Sequence, residues 1–147
     1  MKPTALFLIL VAASLVLSGS AFAGTSPDNA TSRFTSDQLS RIENNLLLCL
    51  ASELPGVRAT AALTLRQVRQ AAPEYSFTRC IIPLMRIVKG EEFDITSRIA
   101  AGLALHDLAS SRGDYAIKMT AQFTETERVK RTYEHLVFAR SMEKATR

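Results

Sequence analysis

Sliding the chain over itself by 40 residues lays Arg58-Ala-Thr-Ala61-Ala-Leu63-Thr-Leu65 on Arg98-Ile-Ala-Ala101-Gly-Leu103-Ala-Leu105, with Val68 over Leu108. The shared pattern, R-x-x-A-x-L-x-L, marks one helix of a unit that occurs at least twice. A period of this length in helix pairs is the signature of a stacked helical repeat. A single pair cannot cover its own apolar stripe, so each pair needs a neighbour, and about three pairs is the usual minimum for stability. The sequence therefore predicts an all-α fold, an α-solenoid of about three stacked antiparallel helix pairs.

Start and stop signals place the helices. Thr35-Ser36-Asp37-Gln38 reads as a capping box, with Phe34 and Leu39 where a hydrophobic staple would sit. Leu39, Ile42, Leu46, Cys49 and Leu50 then recur at helical spacing, so a first helix is predicted over about 36–53. Pro55-Gly56 restarts the chain, and Val57, Ala61, Leu65 and Val68 form the stripe of a second helix, which Ala72-Pro73 ends. A third helix over about 77–89 contains Pro83 in its interior, a position that normally costs ~3 kcal/mol or kinks the helix. Gly90 stops it, and Asp94 is the predicted N-cap of a fourth helix over about 95–109. Ser110-Ser111-Arg112-Gly113-Asp114 reads as a turn. Residues 115–123 carry two signals at once, alternation from Tyr115 to Phe123 and a four-residue spacing of Tyr115, Met119 and Phe123. Thr124-x-x-Glu127 reads as a second capping box opening a last helix to about residue 143, with Val129, Tyr133, Leu136, Val137 and Met142 on or near its buried side.

The N-terminus follows a different grammar. Lys2 precedes an uncharged apolar run, Ala5 to Leu17, and Ala21-Phe22-Ala23 closes the segment with small residues at the outer positions. This predicts a signal peptide over 1–23, cleaved after Ala23, and a periplasmic or secreted product. The run is shorter than the ~20 residues a bilayer span needs, so no membrane insertion is expected after cleavage. Residues 24–34 are a predicted flexible leader and 35–147 the repeat domain. Removing Lys2 from the 18 Lys and Arg leaves 17 bases against 14 acids, a net charge of only +3.

Three stretches resemble the HEAT repeat family. "IIPLMRIVKGEEFDITSRIAAGLALHDL", residues 81–108, is similar to a full unit, including Pro83 in its first helix. "LLLCLASELPGVRATAALTLRQV", residues 46–68, resembles another, with a Val-Arg pair opening the second helix. In the third, "RGDYAI", residues 112–117, resembles the entry to a first helix; Val129-Lys130 falls at the Val-Arg position, and Tyr133 stands where Ala61 and Ala101 stand. The resemblance implies that residues 113–122 form a first helix. It also implies a binding or scaffold role, exerted through a groove formed by successive second helices, with a protein or peptide as partner.

Candidate chemistry is sparse. Arg58, Arg98 and Lys130 recur at one repeat position, where the resemblance implies a ladder of ion pairs along the stack. Arg58, Arg66 and Arg69 share an arc of roughly 80° on the second helix. If exposed, Arg58, Arg66, Arg69, Arg98, Lys130 and Arg131 would line the groove and suit an acidic partner. No aromatics are interleaved to stack bases, so a nucleic acid is not expected. His106 and His135 lack metal-ligand spacing, and His106-Asp107, as neighbours on a helix, make a poor general-base pair. No catalytic motif, metal or cofactor is predicted. The leading expectation is a non-enzymatic interaction module. An accessory or structural component of the cell envelope and a lyase related to HEAT-repeat lyases are the alternatives. Cys49 and Cys80 are predicted as two buried, unbridged thiols, because the repeat register separates them by about 10 Å along parallel axes.

Overall fold

A computed structural model of the chain describes residues 34–146; the predicted signal peptide, 1–23, and the leader through residue 33 lie outside them. The described residues form six α-helices and no strand: α1 Ser36–Leu50, α2 Pro55–Ala71, α3 Ile81–Lys89, α4 Ile95–Leu108, α5 Ser111–Phe123 and α6 Glu127–Ala145. The fold class is all-α, and residues 115–123 are helical.

The local signals explain most boundaries. Thr35 caps α1 through both arms of the capping box: its Oγ1 accepts from the Gln38 N–H, and the Gln38 side chain accepts from the Thr35 N–H at 2.8 Å. Pro55 occupies the first position of α2, where a missing N–H costs nothing. Asp94 caps α4 by accepting from the Ser97 N–H at 2.8 Å.

Four expectations are corrected. The first helix ends at Leu50 rather than residue 53, and Ala51 caps it. Pro83 lies at the start of its α-helix and not in its interior. The chain reaches α3 through a left-handed residue, Phe77 (φ 42°), and a 3-10 turn, Thr78–Cys80, so that Pro83 lies in the first turn of α3. N–H groups there have no intrahelical acceptor to lose. Residues 110–114 are not a turn. Ala109 adopts the left-handed conformation (φ 51°), the chain reverses within two residues, and the Ser110 hydroxyl caps α5 at Gly113. Gly113 is buried there, and a Cβ on it would come within 3.2 Å of Leu105. It is a contact residue, not a breaker. The second capping box does not form: Thr126 is the N-cap of α6 without a side-chain bond, and Thr124 is committed elsewhere.

Each helix packs on its sequence neighbour, α1 on α2, α3 on α4 and α5 on α6. Short connections make these partners antiparallel. The second members form one layer, α2 on α4 and α4 on α6, while α3 packs on α5 and α1 meets the 3-10 turn and the edge of α3. One continuous core runs through all six helices, from Leu39 and Leu50 through Leu65, Leu84 and Leu105 to Ile117, Val129 and Tyr133. Small residues let the second layer close. A Cβ on Gly102 would stand 2.3 Å from Tyr133 Cε1, so the ring occupies the space a side chain would need. The Tyr133 hydroxyl donates to the Arg98 carbonyl at 2.6 Å, which satisfies its one buried polar atom. Met142, expected near the buried side of α6, is exposed.

Candidate functional site

The six basic residues expected along a groove do not form one. Arg58 is buried. Its guanidinium donates to the carbonyls of Ser52 (2.8 Å) and Glu53 (2.9 Å), pairs with Asp94 (3.2 Å) and lies over the Phe93 ring at 5.0 Å. Arg98 repeats the arrangement one unit later and is only 1% exposed. It forks onto Glu91 in the connector before its own helix (2.5 and 2.8 Å) and reaches Thr124 (3.0 Å) and Thr126 (3.3 Å) before the next. Each arginine therefore ties its own connector to the cap of the following second helix. The expectation that Arg58 and Arg98 are exposed is corrected, because loop carbonyls and acids draw both side chains inward.

The remaining four are dispersed. Arg66 pairs with Asp107 on α4 at 2.7 Å, both half-buried. Arg69 holds the carbonyls of Pro73 and Tyr75 in the connector after α2. Arg131 pairs with Glu127 one turn back, fully at the surface. Lys130, half-buried, makes no ion pair among the described residues.

The acids show the same structural use. Hydrogen bonds from Arg98 and then from Thr124 hold the Glu91 carboxyl below its ordinary range. Burial pushes the Asp94 carboxyl up, but its bonds to Ser97 and Arg58 outweigh that, and the net direction is down. Glu43, on α1, is buried with no flanking sequence signal except its place on the apolar stripe, four residues after Leu39 and three before Leu46. Its carboxylate accepts from the Tyr75 hydroxyl (3.0 Å) and from the Arg79 N–H (3.1 Å), pinning the connector that leads into α3.

The two histidines stand apart from the paired acids. His106 Nδ1 stands 3.7 Å from Asp107, beyond hydrogen-bond distance, and His135 is exposed on α6. Among the described residues no group of three His, Cys, Asp or Glu side chains could hold a metal ion. The two thiols are free. Cys80 is buried, and that burial, with the nearby Glu43 charge, pushes its thiol up to about 12. Cys49, expected to be buried, is half-buried in an open groove.

That groove is a broad, open concavity. It holds about 700 Å³ between α1 and α2. Its walls are two stripes at i, i+3, i+4, i+7 spacing: Ile42, Asn45, Leu46 and Cys49 on α1, and Val57, Thr60, Ala61 and Thr64 on α2. Leu54 and Gly56 close the end beside the connector. None of its described lining residues carries a charge. Ile42, Leu46, Cys49, Val57 and Ala61 are visible in the sequence as helical periodicity, where they read as core. Leu46 and Ala61 are buried at the floor of the groove, while Ile42 and Cys49 are half-buried and Val57 is exposed, with no helix among the described residues covering them. The 40-residue shift makes this concrete: Val57, Thr60, Ala61 and Thr64 fall on Ser97, Ala100, Ala101 and Ala104, all four buried on α4.

Comparison with known proteins finds no matching family model, no matching curated protein and no matching solved structure.

Proposed function

We propose that the protein is a small HEAT-like binding module, a short solenoid of three helix pairs that acts by docking a protein surface and supplies no chemistry of its own. The observation that carries this reading is the uncharged α1/α2 groove, whose repeat equivalents on α4 are covered by a packed helix. A surface with that side-chain pattern suits an apolar helical face, because i, i+3, i+4, i+7 stripes are what packed helices present to one another. The docking surface is this groove and not the arginine-bearing face, since Arg58 and Arg98 are consumed internally. The predicted signal peptide supports an exported product, and the described residues contain no helix long and apolar enough to cross a membrane.

The test is a photo-crosslinking amino acid at Thr60, in the middle of the groove, compared with the same group at Glu125, outside it. Crosslinked protein is expected from the Thr60 position only, and Val57→Asp should abolish it. Absence of any crosslink from Thr60 in cells that make the protein would sink the reading.

A further inference from the structure

We propose that the cavity between the C-terminal end of α4 and the facing sides of α5 and α6 binds a small organic carboxylate with an apolar body. Lys118 and His106 hold the carboxylate, and Ile117, Leu136 and Val137 receive the hydrocarbon.

Size and lining come first. The cavity holds about 200 Å³, below the ~300–1,000 Å³ of sites that take drug-sized ligands. Its ligand is therefore small. Ile117 is buried, and Leu136 and Val137 are half-buried, so the cavity has an apolar floor. Charge gathers around that floor. Lys118, Arg140 and Lys144 against Asp114 leave a surplus of two positive charges among the described lining residues.

Most of that charge is already matched. Arg140 Nε donates to Asp114 Oδ1 at 3.1 Å, and its other two nitrogens go to Glu143 and to the His106 carbonyl. Lys144 Nζ lies 3.6 Å from the second Asp114 oxygen. Asp114 is thus flanked by two cations and does not bar an incoming anion. Lys118 is different. It is exposed on α5 and makes no ion pair with any described residue.

His106 supplies the second contact. It stands one turn after Gly102, whose missing Cβ makes room for Tyr133, so its side chain is directed at α6. The side chain is only 14% exposed, and its Nε2 is buried without a hydrogen-bond partner. Folded proteins keep few such atoms, and each needs a reason. Arg58 and Arg98 also bury an unpartnered Nε, but their guanidiniums bind through their other nitrogens. The His106 ring makes no hydrogen bond to a described residue. Its Nδ1 lies 3.7 Å from Asp107, too far to claim the ring proton, so Nε2 is free to carry that proton and donate it.

An ammonium and an imidazole N–H over an apolar floor select the ligand class. A carboxylate accepts from both donors while its hydrocarbon covers the floor. A phosphate would set further oxygens against aliphatic carbon, where they lose water without gaining a partner.

The experiment uses the purified protein and the ring signals of its two histidines in NMR. His135, exposed on α6 and outside the cavity lining, is the internal reference. Hexanoate at millimolar concentration should shift the His106 signals saturably and leave those of His135 in place. Hexanamide, its uncharged counterpart, and inorganic phosphate should do neither at the same concentration. Lys118→Gln should weaken hexanoate about tenfold, as expected for loss of one charged hydrogen bond, with the helical circular dichroism unchanged. Lys89→Gln, exposed on α3 outside the cavity, should leave the affinity as it was. The absence of a saturable His106 shift overturns the proposal. An equal response to hexanamide or to phosphate does so too, as does an unchanged affinity in Lys118→Gln. None of these outcomes involves the α1/α2 groove, so the binding-module reading stands or falls separately.

Discussion

At the scale of single residues, the molecule is decided by side chains placed where two units meet. Gly102 and Tyr133 form one such pair. Adding a methyl group at Gly102 drives it into the ring, so Gly102→Ala should destabilise the protein by about 1–3 kcal/mol. Tyr133→Leu should relieve part of that loss, giving a non-additive double mutant in thermal or urea unfolding. Glu91 offers a second prediction. Its folded-state carboxyl lies below the ordinary value of 4.5, so the stability it contributes is complete above that pH and drains away as pH falls through the lower folded value. Glu91→Gln should therefore lower Tm near neutrality, and its Tm should converge with that of the wild type in acid. The difference at neutral pH should be modest, about 1 kcal/mol or less, because Glu91 is 53% exposed and partly screened. A gap that widens toward acid would contradict the assignment. Gly102 is legible in the sequence as a point of close helix approach, but its partner is not: Tyr133 reads only as an exception to the Ala61 and Ala101 positions, because a sequence shows a large residue in a small slot without showing which glycine receives it.

At the scale of elements, the helices themselves were legible, since capping, proline and periodicity act locally. The Thr35 box, the Pro55 start and the Asp94 cap all stand where the chain announces them. The errors fall where tertiary contact overrides a local signal. Gly113 looked like a turn residue and instead lets α5 lie close to Leu105. Thr124 looked like a cap and instead donates its hydroxyl to Glu91 at 2.7 Å. Pro83 looked like an interior proline. Because it lies in the first turn of α3, Pro83→Ala should change stability by less than about 1 kcal/mol in either direction, against the ~3 kcal/mol an interior proline would cost. Chemical denaturation of the two proteins would separate these values.

At the scale of the whole molecule, the sequence announces an all-helical chain, but not which surfaces end up covered. Burial in a stack depends on having a neighbour on each side, and periodicity alone does not say where the neighbours stop. That is why Cys49 and Val57 read as core and stand in an open groove, whereas Arg58 and Arg98, which the resemblance placed in a ladder of ion pairs, pair with Asp94 and Glu91 and are enclosed. The two thiols turn this contrast into a measurement. In the native protein at neutral pH, an alkylating reagent should label Cys49 and spare Cys80, which is enclosed and held protonated by a thiol pushed up to about 12. Cys80 should react only at the rate of global opening, so its labelling should slow or quicken with overall stability. Equal labelling of both in mass spectrometry would show that the core opens locally.

Glu43 sits on the flank of the helix whose neighbouring face lines the groove. Successive residues of a helix point about 100° apart, so the direction in which Ile42 and Cys49 look is fixed by whatever holds the adjoining face. Here that hold is a carboxylate gripping Tyr75 and the amide of Arg79. Anyone transplanting the groove to another scaffold, or tracing it through divergent sequences, would have to carry that hidden anchor along with the visible stripe, or the stripe would be aimed somewhere else.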